Sequence, residues 1–338
     1  MIDVGVIGVG MIGQDHVRRL TQVLAGARVT AVTDVDAGRA ASVAERVGAQ
    51  AFGSGEELIA AAGVDAVVVT SWGPTHEAYV LAAIAAGLPV FCEKPLASTA
   101  AACSRIVDAE AEAGRRLVQV GFMRRYDERY RALKAVLDAG ELGAPLLMHA
   151  AHRNPSAPPH FTRDMIINDS AVHDIDVARW LLGEEIVSVE VRRPRRNSRA
   201  AAGLDDPLVL LLRTASDVLV DVEVLLNARF GYDIRGEVVC EDGVVALSES
   251  AGVTVRSAGR FAGPVPGHWM ERFAAAFDTE FREWLDSVAA GNEPSGPSSW
   301  DGYAATVVCD AALAALAAGT EEPVVLRARP SLYPAVPA

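Results

Sequence analysis

Val4-Gly5-Val6-Ile7-Gly8-Val9-Gly10-Met11-Ile12-Gly13 opens the chain almost at once, and its reading governs everything after it. The first four residues are short and apolar on both faces, as a strand buried inside a parallel sheet has to be. Three glycines follow at G-x-G-x-x-G spacing and lead into a helical segment carrying Val17 and Leu20. A lone match of this kind is weak, but a strand before it and a helix after it give it the context it requires. Gly8 permits the tight turn, Gly10 lets backbone approach a pyrophosphate, and Gly13 lets helix and strand pack closely. The free N–H groups at the helix start then receive the phosphates.

Outward from that loop, β-branched runs alternate with helix-length stretches. Val29-Thr30-Ala31-Val32, Ala66-Val67-Val68-Val69, Pro89-Val90-Phe91 and Leu117-Val118-Gln119-Val120 read as strands, and the alanine-rich segments 75–86 and 98–113 as helices. This alternation predicts a doubly wound, parallel Rossmann sheet over residues 1–121. Asp34 falls at the end of the second strand, about 20 residues past the loop, where a carboxylate meets the ribose hydroxyls of NAD. Asp36 adds negative charge, and together they disfavour a 2′-phosphate, so NAD is expected over NADP. Arg39 could oppose this, but it is expected well inside the next helix.

After Gly121 the pattern changes, and 122–338 reads as a second domain of the α+β class. A helix over 130–139 ends at Gly140, and a strand follows at 146–148. Residues 152–168 read as a long loop of the functional kind. A helix is expected from about Ser170 to Leu182, stopped by Gly183. Antiparallel strands are then predicted at 187–191, 208–212, 218–224, 237–240 and 244–247, with a turn at Glu241-Asp242-Gly243. Residues 208–212 are apolar on both sides, which suggests a face covered by a helix or another subunit. Helices at about 270–290 and 301–318 and a terminal tail of about a dozen residues complete the expectation.

With 338 residues, 51% of them hydrophobic and 22% charged, the chain can bury two cores. Its net charge of −13 argues against nucleic-acid and anionic-membrane partners. Cys92, Cys103, Cys240 and Cys309 show no CxxC spacing and suit buried thiols. No uninterrupted apolar run reaches the roughly 18–20 residues of a membrane span, and no leader pattern precedes the first strand, so a cytoplasmic protein is expected. Arginines at 192, 193, 195, 196 and 199 read as a solvated loop, with an anion or subunit contact as the other reading.

Chemistry concentrates in two stretches. Glu93-Lys94-Pro95 follows the strand at Pro89-Val90-Phe91, beyond whose carboxyl end ligands of such sheets bind, although a surface lysine is the plainer account. Pro95 holds Lys94 extended and can take a cis bond. Asp169 and His173 stand four apart on a helical turn facing the expected loop, a placement that suits a general base with a carboxylate beside it. Asp169 or Ser170 also suits a helix cap, and His173 a structural role. His149, His152, His160, Asp169 and His173 match no metal-site spacing, so no metal is expected.

These stretches also resemble the glucose–fructose oxidoreductase / inositol dehydrogenase superfamily, and within it the myo-inositol 2-dehydrogenase group. The likeness rests on residues 8–13, Thr70-Ser71-Trp72-Gly73-Pro74, Glu93-Lys94-Pro95-Leu96, Gly121-Phe122-Met123-Arg124-Arg125-Tyr126-Asp127, His152-Arg153-Asn154-Pro155, residues 168–180, Gly231-Tyr232-Asp233-Ile234 and Glu241-Asp242-Gly243. It spans nearly the whole chain. His160-Phe161-Thr162-Arg163 departs from it. The resemblance implies a Rossmann domain followed by a large, mostly antiparallel sheet that serves substrate binding and homotetramer assembly. It implies a catalytic set of Lys94, Asp169 and His173, in which the histidine takes the hydroxyl proton. Arg124, His152, Asn154 and Tyr232, with the catalytic three, would hold a polyol. The expected cofactor-binding set is Gly8, Gly10, Met11, Ile12, Gly13, Asp34, Val35, Ser71, Trp72, His76, Glu93 and Lys94. The implied reaction is NAD-dependent oxidation of myo-inositol. A scyllo-inositol, another isomer, or a pyranose or anhydrosugar is the alternative substrate, and a non-catalytic NAD- or sugar-binding regulator the alternative class.

Overall fold

The structure, a computed structural model, describes residues 1–248 and 255–334. The chain forms two compact units that are not contiguous in sequence. One contains Met1–Phe122, Phe277–Thr306 and Arg327–Pro334; the other contains Met123–Ala276 and Val307–Leu326.

In the first unit, β1 (Ile2–Ile7), β2 (Ala27–Thr33), β3 (Gln50–Ala51), β4 (Ala66–Val69), β5 (Val90–Glu93) and β6 (Val118–Gly121) form one parallel sheet in the order β3-β2-β1-β4-β5-β6. The helices α1 (Met11–Arg18), α2 (Ala37–Val47), α3 (Gly55–Ile59), α4 (His76–Ala85) and α5 (Ala100–Ala113) alternate with the strands. Every residue of β4, β5 and β6 is buried, which is why these strands read as unbroken apolar runs. The order reverses beside β1, so the loops after β1 and β4 part and leave a crevice at the carboxyl ends of the strands.

A boundary at 121/122 assigns the whole of α8 (Trp269–Ala289) and α9 (Ser299–Ala318) to the second domain, but residues 277–289 and 299–306 pack in the first unit. Phe281, Trp284 and Leu285, at helical spacing, join Val4, Val6, Val68 and Phe91 in its core. The expected tail is also packed as far as Pro334. Arg327 bonds Ser104 and Asp108, and the buried Tyr333 hydroxyl lies 2.9 Å from Glu110. Residues 335–338 of that tail lie outside the described residues.

The second unit begins with a 3₁₀ turn at Met123–Tyr126 and α6 (Glu128–Ala139), capped by Asp127 and closed by Gly140 in the left-handed region. Its sheet contains β7 (Pro145–Arg153), β8 (Ile186–Arg192), β9 (Leu208–Thr214), β10 (Leu219–Leu225), β11 (Asp233–Cys240), β12 (Val244–Ala246) and β15 (Glu322–Pro323). The order is β12-β11-β7-β10-β9-β8-β15, with only β7 and β10 parallel. A small hairpin, β13 (Val255–Ser257) and β14 (Arg260–Ala262), stands apart from that sheet. On β9 and β10, Leu208, Leu210, Leu212, Val220, Val222 and Val224 bury one face. The other face keeps Val209 and Leu211 half-buried among Asp221, Glu223, His149 and Arg153, so among the described residues β9 is covered on one side only. On that open face Arg153 bonds Glu223 and Asp233.

Two expectations about the loop before α7 (Val172–Leu182) change. His152 and Arg153 complete β7, and Ile166–Ala171 winds into a π-helical turn running straight into α7. The helix N-cap is therefore Ala171, with no side-chain cap, and neither Asp169 nor Ser170 serves as one. Upstream turns already supply carbonyl partners there. The arginine-rich loop is largely consumed locally: Arg193 bonds Asp205, and Arg196 bonds the carbonyls of Ala200 and Ala201. By length and composition α9 could cross a bilayer, which a search for unbroken apolar runs overlooks because Asp301 and Asp310 interrupt it. Of its most apolar window, 56% is buried inside the protein, as in a core helix.

Candidate active site

The first unit supplies a dinucleotide cradle. Gly8 sits at φ +90°, and a Cβ there would meet the Ser71 backbone at 2.5 Å. A Cβ on Gly13 would come within 2.0 Å of the Gly8 carbonyl oxygen, so both glycines are required by packing. Gly10 differs: a Cβ there meets nothing within 4 Å. Its smallness serves the open side, where a phosphate would approach the N-terminus of α1, which no side chain caps. Met11, Val35 and Trp72 are exposed at the carboxyl ends of β1, β2 and β4, Val35 completely. Apolar side chains left bare on three neighbouring loops fit the flat faces of a dinucleotide.

Asp34 is more engaged than its position in the sequence suggests. One carboxylate oxygen accepts the Val9 N–H at 2.7 Å, and the other accepts the Asp36 N–H and Arg39 Nη2, each at 2.9 Å. Arg39 is the third residue of α2, not deep within it, because Asp36 caps the helix by accepting the Arg39 N–H. The guanidinium therefore lies against Asp34 and offsets part of its charge. A carboxylate offers about four acceptor positions, so room for a ribose hydroxyl remains.

Two neighbouring segments are tied by histidine. His76 is buried, with Nδ1 2.7 Å from the Pro95 carbonyl and Nε2 2.9 Å from the Ser71 carbonyl. Burial pushes its pKa down, against the pull of those carbonyls. Its ring packs between the Ser71-Trp72 loop and the Glu-Lys-Pro segment, where the single N–H of the neutral form can donate to one of the two carbonyls. The Lys94–Pro95 bond is cis. Glu93 is buried and turned inward: one carboxylate oxygen contacts His16 Nε2 at 2.8 Å, and the other accepts the Lys94 N–H at 3.2 Å. The part of Glu93 left to face a cofactor is its backbone.

The second unit holds a different kind of assembly. Arg124, fully buried in the 3₁₀ turn, donates Nη1 to Asp174 at 2.5 Å and approaches His152 Nδ1 through Nη2 at 3.0 Å. His152 Nδ1 also lies 3.0 Å from the other Asp174 oxygen. Burial would raise the Asp174 pKa, but the Arg124 charge and the His152 contact hold it below the usual carboxylate range. Beside them the Tyr232 ring stands edge-on to His152, with centroids 6.0 Å apart. Burial pushes its phenol up to about 12, so it stays protonated as a donor. His173, in the first turn of α7, is 7% exposed, with its ring centroid 6.4 Å from that of His152. Asp169 lies in the preceding π turn, half-buried. Asn154 follows β7, bonded through its backbone to Leu225 and Ala228, while its Oδ1 is buried with no partner among the described residues.

His152, Arg124, Tyr232 and His173 thus gather within the second unit, at the ends of β7, the 3₁₀ turn, the residue before β11, and α7. The sequence reading missed Asp174, which unites Arg124 with His152, and Asn168, whose buried Oδ1 also has no partner among the described residues. Both stand in the stretch quoted around His173, but a carboxylate one position along a helix gives no sign of which buried cation it faces. Among the described residues no cluster of three His, Cys, Asp or Glu side chains could hold a metal ion.

Residues 2–122 match the GFO/IDH/MocA oxidoreductase family with NAD-binding Rossmann fold, and residues 130–246 match the GFO/IDH/MocA C-terminal domain. Inositol 2-dehydrogenase 3 of Saccharopolyspora erythraea is 55% identical over 332 residues, covering 98% of each chain. Inositol 2-dehydrogenase of Burkholderia cenocepacia is 52% identical over 334 residues, 98% of this chain and 99% of that one. Among solved structures, myo-inositol dehydrogenase from Lactobacillus casei in complex with NAD(H) and myo-inositol superposes with a TM-score of 0.96. It shares 38% identity and is matched over 99% of this chain and 100% of that one.

Proposed function

The chain belongs to the GFO/IDH/MocA oxidoreductase family, and we propose that it is an NAD-dependent inositol 2-dehydrogenase oxidising one secondary hydroxyl of myo-inositol to the ketone. The observation that carries the reading is its full-length match to an enzyme bound to NAD(H) and myo-inositol. The donor set supports it. A ring of hydroxyls needs donors and acceptors together, and the second unit gathers a protonated phenol, histidines and a buried amide oxygen.

Bound NAD supplies the acceptor for the hydride that leaves the carbon. His173, as general base, takes the hydroxyl proton, and a neutral imidazole suits that step near pH 7. Asp169 orients His173 and stabilises the imidazolium. The Lys94 ammonium favours the negative charge growing on oxygen, an effect strengthened where water is excluded. Asn154, Tyr232 and His152 hold the remaining hydroxyls, with Arg124 bracing His152 through Asp174. Gly8, Gly10, Met11, Ile12, Gly13, Asp34, Val35, Ser71 and Trp72 hold the cofactor, with NAD preferred over NADP.

The reading extends to a homotetramer assembled through the open face of the seven-stranded sheet. Half-buried Val209 and Leu211 and exposed Leu219 on that face support it. A cytoplasmic location is supported by four cysteines buried as thiols. The deciding experiment incubates the protein with NAD and a panel of inositol isomers and aldoses, following NADH and identifying the product. NADH and 2-keto-myo-inositol are expected from myo-inositol. NAD binding with no turnover across the panel would instead leave a non-catalytic regulator.

A further inference from the structure

The mechanism does not use one buried chain of polar groups in the first unit. His16 lies on the inner face of α1 and is completely buried. Phe91, Phe277 and Phe281 surround its ring, with centroids 5.9, 5.6 and 4.5 Å away. Both ring nitrogens are nevertheless engaged. Nδ1 lies 2.7 Å from Arg19 Nη1, and Nε2 lies 2.8 Å from Glu93 Oε1. A guanidinium can only donate, so Nδ1 must accept; Nε2 then carries the proton and donates to Glu93. One neutral tautomer satisfies both contacts, whereas an imidazolium would set N–H against N–H at Arg19. Burial, which drives the ring toward neutrality, agrees with that assignment.

The chain continues in both directions. Arg19, 1% exposed, is held by Asp278 through Nε at 2.7 Å and by Asp15 through Nη2 at 2.9 Å. At the far end the second Glu93 oxygen accepts the Lys94 N–H. Gly121, at the end of β6, makes room for this carboxylate: a Cβ there would lie 3.1 Å from Glu93 Cδ and Oε2.

We infer that His16, fixed by Arg19, is a positioning residue for Lys94: it pins one Glu93 oxygen so that the other sets the backbone of the lysine. The inference rests on the reading of Lys94 as catalytic. Its consequence is specific. Loosening Glu93 lets the Lys94 backbone drift, and small displacements of a reacting group are costly in rate while cofactor binding, held by the glycine loop, is spared. Gln is the conservative replacement, because its amide N–H can reach Glu93 where Leu only fills the volume.

The test measures the single-turnover rate of NADH formation and the affinity for NAD in the full-length protein with myo-inositol. His16→Leu is expected to slow the single turnover about tenfold with NAD affinity within about twofold of wild type, and His16→Gln to recover most of the rate. Gly121→Ala, which crowds Glu93 without touching His16, is expected to slow the same step severalfold. Equal rates in His16→Leu and wild type, equal losses in Leu and Gln, or a loss confined to NAD affinity would overturn the inference. If His16→Leu does not fold, Gly121→Ala decides by the same criteria. Lys94→Ala separates the two levels. Wild-type turnover in that variant overturns the catalytic reading and the inference with it. Its inactivity beside a fully active His16→Leu overturns the positioning role alone.

Discussion

The cofactor cradle and the assembly around His152 are built on opposite principles. The cradle is local: Gly8, Gly10, Gly13 and Asp34 lie within 27 positions, and apart from the Asp34 carboxylate their work is done by backbone groups and by absent side chains. The second-unit assembly joins Arg124, His152 and Asp174, up to 50 positions apart, through buried charges that support one another. The difference teaches where a mutation will be felt. The cradle can lose a polar contact and stay folded, because its ligand and the solvent share the load. The buried triad cannot lose one member without stranding another.

Four tests can break or sharpen that contrast. The largest expected effect is catalytic. Lys94→Ala and His173→Ala should each lower turnover by about 10³-fold while leaving NAD binding intact, as measured by NADH formation and cofactor fluorescence. Survival of wild-type rates in either would remove that residue from the mechanism. Next comes Asp174→Asn, which leaves the Arg124 charge buried without its carboxylate. It should cost about 3–5 kcal/mol in urea unfolding. A loss below about 1 kcal/mol would mean that the triad is not the brace described here.

The third is acid titration, which should distinguish the two regions by pH window. The buried His16 and His76 have pKa values lowered by burial, so the unfolded chain takes up their protons first, and their share of stability falls as pH drops below about 6.5. Asp174 is also held low, but against a carboxylate reference, so its share is kept above the unfolded pKa of about 3.8 and lost only as pH falls further. Stability curves for wild type and Asp174→Asn should therefore run parallel from pH 7 to pH 5 and converge below pH 4. Divergence in the upper range would contradict the assignment.

The smallest expected effect concerns cofactor choice. Asp34→Ser should narrow the ratio of kcat/KM for NAD over NADP, and Arg39→Ala should widen it, each by about tenfold or less, about 1.4 kcal/mol. Movement of both variants in the same direction would show that the Asp34–Arg39 pair does not set the preference.

Much of the first unit was legible because parallel strands buried on both faces have to be apolar throughout, and the glycine spacing reflects backbone geometry. Ala66–Val69 is a strand with the bounds its sequence suggests. Arg39 was misplaced because the Asp36 cap starts α2 earlier than the apolar pattern does. In the second unit, the extension of β7 through Arg153 was hidden by the polar residues that make it useful, since His152 and Arg153 read as loop. The π turn at Ile166–Ala171 has no periodic signature of its own.

The residues of the chain by themselves determined the dinucleotide loop, the parallel sheet around it, and the candidates Lys94, Asp169 and His173. Each follows from spacing over a few turns or from a motif whose geometry is local. Only the tertiary structure decided that Asp34 shares its charge with Arg39, that Arg124 braces His152 through Asp174, and that residues 277–289 return to the first unit. It alone revealed His16 behind Glu93. Apart from the Asp34–Arg39 pair, which depends on where the Asp36 cap starts α2, those facts join partners far apart in the chain, and long sequence separation leaves no pattern in the sequence to be read.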